Sequence, residues 1–237
     1  MAKTKSVYFC NNCGAESPKW IGRCPVCGEW NTYVEEVVST KSAAGGRGEF
    51  GTMEQSKVRP QRIDDIQITE ESRIDLGNGE LNRVLGGGLV RGSLVLIGGE
   101  PGIGKSTLIL QTVLALKGQK ILYVSGEESA RQLKLRAERI GGNAPDCYIV
   151  CETSLEDIFV HIRNVDPDIV VIDSIQTIAT SAMESSPGSV GQVRECAASL
   201  LKFAKQTNTP VLLVGHINKE GSIAGPKVLE HIVDTVL

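Results

Sequence analysis

Five short aliphatic runs recur between residues 93 and 216: "SLVLIGG", "KILYVSG", "CYIVCE", "DIVVIDS" and "PVLLVGH". They are continuous rather than alternating, and rich in β-branched residues. Strands of a parallel sheet covered on both faces read this way. The segments between them repeat their apolar positions with helical period. In "SLEDIFVHIRNV", Leu155, Ile158, Phe159, Ile162 and Val165 fall at offsets 0, 3, 4, 7 and 10, one face of a helix. Ser154 is its expected N-cap, with Asp157 at the third helical position, close to a capping box. Val193, Ala197, Leu200, Leu201 and Ala204 make a second stripe; Ala130, Leu133, Ala137 and Ile140 make a third, stopped by Gly141. Strands alternating with helices predict an α/β fold around a parallel-strand-rich central sheet.

The pattern divides the chain into three zones. Residues 1–35 carry two cysteine pairs, residues 36–62 are Ser-, Gly- and Lys-rich without apolar periodicity and read as a flexible linker, and residues 63–237 are the α/β domain. A hydrophobic fraction of 41% supports a sizeable core, and 4% aromatics make that core mostly aliphatic. A net charge of −3 excludes a globally basic, polyanion-coating protein, so any nucleic-acid contact must be a local patch. No apolar run approaches the ~20 residues of a membrane span, and "MAKTKSVYF" is no secretion signal. Both observations point to a cytoplasmic protein without a membrane partner. Cys147, Cys151 and Cys196 are scattered and read as small core residues of a reduced chain.

"GGEPGIGKSTLILQ" is where the chemistry concentrates. Gly99, Gly104, Lys105 and Ser106 stand at phosphate-loop spacing, after an expected strand and opening an expected helix. Such a loop turns successive backbone N–H groups inward on phosphate oxygens, and the helix terminus adds positive charge. Residues Gly99, Glu100, Pro101, Gly102, Ile103, Gly104, Lys105, Ser106 and Thr107 are therefore the candidate nucleotide cradle. Lys105 would neutralise β- and γ-phosphate oxygens, Ser106 would ligate Mg²⁺, and Thr107 would reach the α-phosphate.

Asp173 ends "DIVVIDS" at a strand's carboxyl edge, where its carboxylate can join the Mg²⁺ shell, with Ser174 beside it. Glu127 and Glu128 follow the strand after the phosphate-loop helix, an edge where ligands gather. Glu127 is the candidate base; the alternative is that both acids merely open the next helix. His216 ends the last clear strand, as a γ-phosphate sensor or as a structural, hydrogen-bonded histidine.

"FCNNCGAESPKWIGRCPVCGEW" holds Cys10, Cys13, Cys24 and Cys27, two C-x-x-C pairs separated by ten residues. Four thiolates at this spacing read as a closed, structural Zn²⁺ site; two disulfides or an iron centre are the alternatives. Gly14 and Gly28 follow each pair, where a tight turn can aim N–H groups at the sulfurs. So small a segment needs the metal to fold. Lys19, Trp20 and Arg23 lie between the pairs, as contacts to a partner or DNA or as a solvated face.

The chain resembles the bacterial RadA (Sms) family of the RecA-like superfamily. The blocks that carry the likeness are the cysteine knuckle, "ELNRVLGGGLVRGSLVLIGGEPGIGKST", "YVSGEES", "VVIDSIQT", "SPGSVGQVRE" and "KEGSIAGPKVLEHIVDTVL". The resemblance implies a RecA-like P-loop NTPase core behind a small four-cysteine zinc-ribbon or knuckle module. It implies a DNA-stimulated ATPase of DNA repair and recombination, converting ATP to ADP with Mg²⁺. The same likeness implies single-stranded or branched DNA and the RecA recombinase as partners in branch migration, and homo-oligomeric rings, hexameric in the family. Carried over by position, Lys105 and Ser106 bind nucleotide and metal, Asp173 serves the metal shell and Glu127 is the base. "TSAMESSPGSVGQVRE" takes the place of the DNA-facing loop, with Arg194 its one basic residue. Asn218 stands where the family has threonine, and keeps a polar head. The family continues into a Lys-Asn-Arg-Phe-Gly motif and a Lon-like domain, so this chain is expected to be an N-terminal part ending within a strand. The competing functions are a nucleotide-gated binding module that hydrolyses slowly or not at all, and a helicase-like RecA-fold ATPase, against which the knuckle argues.

Overall fold

The cysteine segment folds as a three-stranded antiparallel ribbon. A computed structural model describes residues 3–11, 13–40, 62, 73–141, 146–216 and 229–237. In it β1 (Lys3–Cys10) pairs with β2 (Glu16–Ser17) on one side and β3 (Tyr33–Thr40) on the other. The register runs from Cys10 against Tyr33 to Lys3 against Thr40. The ribbon's last strand thus continues past residue 35, into the stretch read as linker. Most of that linker, and Asn218 with the surrounding "INKEGSIAGPKV", lie outside the described residues.

The five aliphatic runs become β4 (Leu94–Gly99), β5 (Ile121–Ser125), β6 (Cys147–Cys151), β7 (Ile169–Asp173) and β8 (Val211–His216). With β9 (Thr235–Val236) they form one parallel sheet in the order β6-β5-β7-β8-β4-β9. The strands read as unbroken apolar runs because each feeds two cores by turns. Leu96, Leu122, Val170, Ile172 and Leu213 face one way, onto α4 (Leu155–Val165) and α5 (Val190–Thr207). Val95, Ile97, Ile121, Val171 and Val214 face the other, onto α2 (Lys105–Ala115) and α3 (Ala130–Ile140). A short α1 (Gly79–Val84), capped by Asn78, has no periodicity that announced it.

Two details depart from the expected pattern. β6 is an edge strand with one neighbour, so its residues are half-covered and Tyr148 is exposed. Cys151, on the same edge, is exposed rather than core, its thiol donating to the Glu128 carbonyl at 3.2 Å. Cys147 and Cys196 are screened as expected, and burial pushes their thiols up to about 11 and about 12. Ser154 caps α4, accepting from the Asp157 amide, but the full reciprocal capping box is at Ser129 and Gln132, opening α3. Gly141 ends α3 in the left-handed conformation. No helix among the described residues is long and apolar enough to cross a membrane.

Candidate nucleotide site and zinc ribbon

Parallel register brings the carboxyl ends of four strands side by side. Ser125 pairs with Asp173, Asp173 with Val214, and Gly99 with His216. The turn from β4 into α2 passes through Gly102 at φ 82° and Gly104 at φ 96°. Only glycine holds this conformation without steric cost. Gly104 is the N-cap of α2, so the amides of Lys105, Ser106 and Thr107 open the helix with no intrahelical acceptor. Those amides and the helix dipole favour an anion. Lys105 is buried, its Nζ donating to the carbonyls of Gly99 at 2.8 Å and Glu100 at 2.9 Å. Burial draws its pKa below the usual lysine value, opposed by the charges of Asp173 and Glu127. Pro101 and Ile103 are exposed along the loop, and Thr107 is exposed on the first turn of α2.

Asp173 is buried beside this lysine. One of its oxygens accepts from Ser106 Oγ at 3.0 Å, the other from the Tyr123 hydroxyl at 2.5 Å. Ser174 Oγ donates to Glu127 Oε1 at 2.5 Å, and His216 Nε2 lies 3.3 Å from the same oxygen. Lys105, Ser106, Asp173, Glu127 and His216 thus share one edge, with the carboxylate of Glu127 half-exposed at its rim. Glu128 turns away to Arg136 of α3 at 2.7 Å, a structural ion pair. The path that delivers Glu127 is fixed by Gly126, whose amide donates to the Asp173 carbonyl. A Cβ at Gly126 would lie 1.9 Å from Thr177 Oγ1, so no other residue fits there without displacement. Sequence reasoning missed Tyr123. Its signal was a tyrosine inside an aliphatic strand: a buried phenol needs an acceptor, and Asp173 is it.

Polar bonds also shape the segment between β7 and α5. The Gln192 side chain donates to the carbonyls of Thr180, Met183 and Ser185. Glu156 of α4 accepts from Thr180 and Ser181. Burial works against its charge, yet these bonds leave its pKa below the usual glutamate value. Arg194 reaches the ribbon, donating to the Gly14 carbonyl at 3.0 Å and pairing with Glu16 at 3.2 Å.

In the ribbon the sulfur ligand atoms of Cys10, Cys13, Cys24 and Cys27 all lie within 4.8 Å of one another. Cys10 and Cys27 sulfurs are 3.6 Å apart, those of Cys13 and Cys24 3.5 Å. Zn–S bonds of about 2.3 Å in a tetrahedron set sulfurs about 3.8 Å apart, so the cluster fits one such ion and leaves no open position. Separations of 3.6 and 3.5 Å are far longer than a disulfide bond, so the sulfurs are arranged as a set of metal ligands rather than as two bridges. The expected role of the glycines is refined. Gly14 and Gly28 amides bond the carbonyls of Cys10 and Cys24, closing each turn. The amides facing the Cys24 sulfur are those of Cys27 and Val26. Burial opposes the Cys24 thiolate, but these amides and the Tyr33 hydroxyl outweigh it and lower the pKa, while burial raises that of Cys13.

Comparison with known proteins agrees with both parts. A family model described as AAA domain matches residues 57–222, and one described as Rubredoxin metal binding domain matches residues 8–35. The chain is 55% identical over 239 aligned residues to "DNA repair protein RadA" of Bacillus subtilis (strain 168), covering 100% of this chain and 52% of that protein. Proteins of the same name from Listeria monocytogenes and Pseudomonas aeruginosa are 51% and 50% identical. They too are matched by 100% of this chain, which covers 51% and 52% of their length. The chain therefore spans about half the length of the curated relatives it matches. With a parallel sheet carrying a phosphate loop behind a zinc ribbon, and relatives along its whole length, the chain belongs to the AAA domain family in its RecA-like form.

Proposed function

We propose that this chain is the nucleotide-hydrolysing part of a DNA-dependent ATPase of repair and homologous recombination. The observation that carries this reading is the meeting of Ser106 with Asp173, and of Glu127 with Ser174 and His216, beside the phosphate loop. The loop amides and Lys105 hold the phosphates of ATP. Ser106 and Asp173 would hold Mg²⁺, which would supply neutralisation of phosphate charge. Glu127 accepts a proton from the attacking water, and Ser174 and His216 fix the oxygen that receives it. His216 also carries γ-phosphate occupancy toward the turn that follows β7, since its carbonyl accepts from Gln176. In the cell this chemistry serves branch migration on recombination intermediates, with the RecA recombinase, in a cytoplasmic ring of like subunits.

Single-stranded DNA is expected to raise the ATP turnover of purified protein severalfold. A second reading, a nucleotide-gated adaptor with slow or no hydrolysis, is favoured by the Arg194 bridge between ribbon and core. Unstimulated turnover, joined to partner capture that requires ATP, would establish the adaptor instead.

Tyr123 has a narrower role, positioning Asp173. Tyr123→Phe is expected to raise the Mg²⁺ concentration giving half-maximal turnover about tenfold, since a hydrogen bond to a charged group contributes about 1.5–3 kcal/mol. A metal titration identical to that of the unaltered protein would remove tyrosine from the site.

A further inference from the structure

Both tryptophans of the chain are in the ribbon, at positions 20 and 30. Both are exposed, Trp20 by 52% and Trp30 by 67%. Neither belongs to the ribbon's buried cluster of Cys10, Cys24 and Tyr33. The rings converge on one point: a Cβ built on Gly22 would lie 3.6 Å from the Trp20 ring and 3.7 Å from that of Trp30. The two indoles and the glycine between them therefore form one continuous face. Arg23 flanks it, its guanidinium 5.9 Å from the Trp30 ring centre and its Nε held by the Gly28 carbonyl. Lys19 stands exposed beside Trp20. Of the nearby acids, Glu16 is engaged by Arg194, which leaves Glu29.

Nothing in the ribbon's folding requires exposed indoles, because the thiolate cluster supplies its core. The charge and shape select the ligand. Flat apolar faces accept bases, and the two flanking cations accept phosphates. A duplex offers no open base face, whereas a single strand offers one at every nucleotide. We propose that the Trp20–Trp30 face is a stacking platform for single-stranded DNA, with Lys19 and Arg23 on its phosphates. This deepens the DNA-dependent reading above and rests on it.

Because no other tryptophan exists in the chain, its emission reports on this face alone. Adding oligo(dT) to the zinc-loaded full chain is expected to quench that emission. Anisotropy of labelled oligo(dT) is expected to show binding weakened about tenfold by Trp20→Ala and again by Trp30→Ala, given the usual contribution of one stacked base. Trp30→Phe should recover part of the loss. Retention of one zinc ion per chain identifies the variants that are folded, and quenching of the unaltered protein decides the matter without any variant. Unquenched emission from a chain that does bind oligo(dT) would overturn the platform while leaving the DNA-dependent reading intact. Absence of any oligo(dT) binding would overturn both. Emission unmoved by oligo(dT) but blue-shifted by a DNA-free recombinase would assign the face to a protein instead.

Discussion

Lys105→Ala is expected to lower ATP turnover at least about a hundredfold, the usual cost of removing one donor aimed at developing charge. Lys105 is buried at the head of α2, and its ammonium lies inside the loop, bonded to the carbonyls of Gly99 and Glu100. Alanine leaves those two carbonyls without this donor and the phosphate tail without its charge partner. The loop's path is set by Gly102 and Gly104 rather than by the lysine side chain, so the fold should persist. Thermal melting together with steady-state turnover tests both halves. Turnover at the original rate in a folded variant would refute the nucleotide site. A melted variant would say nothing of the chemistry, and Lys105→Arg, which keeps the charge, then serves in its place: it should still lose most activity, because a planar guanidinium does not fit the ammonium's pocket.

Removing zinc is expected to unfold the ribbon and spare the α/β core. Metal analysis of purified protein should give one zinc per chain, lost in Cys24→Ser. The physical reason is the imbalance between the two units. Among the described residues the ribbon's buried cluster is Cys10, Cys24 and Tyr33, whereas the sheet is sandwiched between two extensive aliphatic cores. Metal binding in such small units contributes about 10–16 kcal/mol, more than the ribbon's own burial supplies. A chelator should therefore expose the segment around residues 8–35 to protease while the core's melting transition remains. Iron in place of zinc would correct the metal. A metal-free yet protease-resistant ribbon would overturn the site.

How far the sequence carries can be judged from particular residues. Ser154 as a cap, the stripe through Leu155, Ile158, Phe159 and Ile162, and Gly141 as a stop were all legible, because capping and periodicity are local. So were the glycine-rich turn that opens α2 and the clustering of the two cysteine pairs, because both are written in spacing. Tyr123 was not, since its bond to Asp173 joins two strands that only become neighbours in the sheet. Glu127 and Glu128, adjacent and alike in sequence, were separated only by folding: one joins Ser174 and His216, the other pairs with Arg136. Gly126 gives no sign of the hydroxyl of Thr177 packed against it.

The sequence by itself determined the five long strands of the sheet and the helices with apolar stripes, the glycine-rich turn from β4 into α2, and the four cysteines that cluster in the ribbon. Each of these follows from residues near one another along the chain. Tertiary structure decided which oxygen of Asp173 meets Ser106 and which meets the phenol, which of two glutamates faces the site, and that two tryptophans ten positions apart form one face. Those outcomes depend on strand register and on turns closed by distant partners, where a contact's energy is gained only after the intervening chain has been ordered.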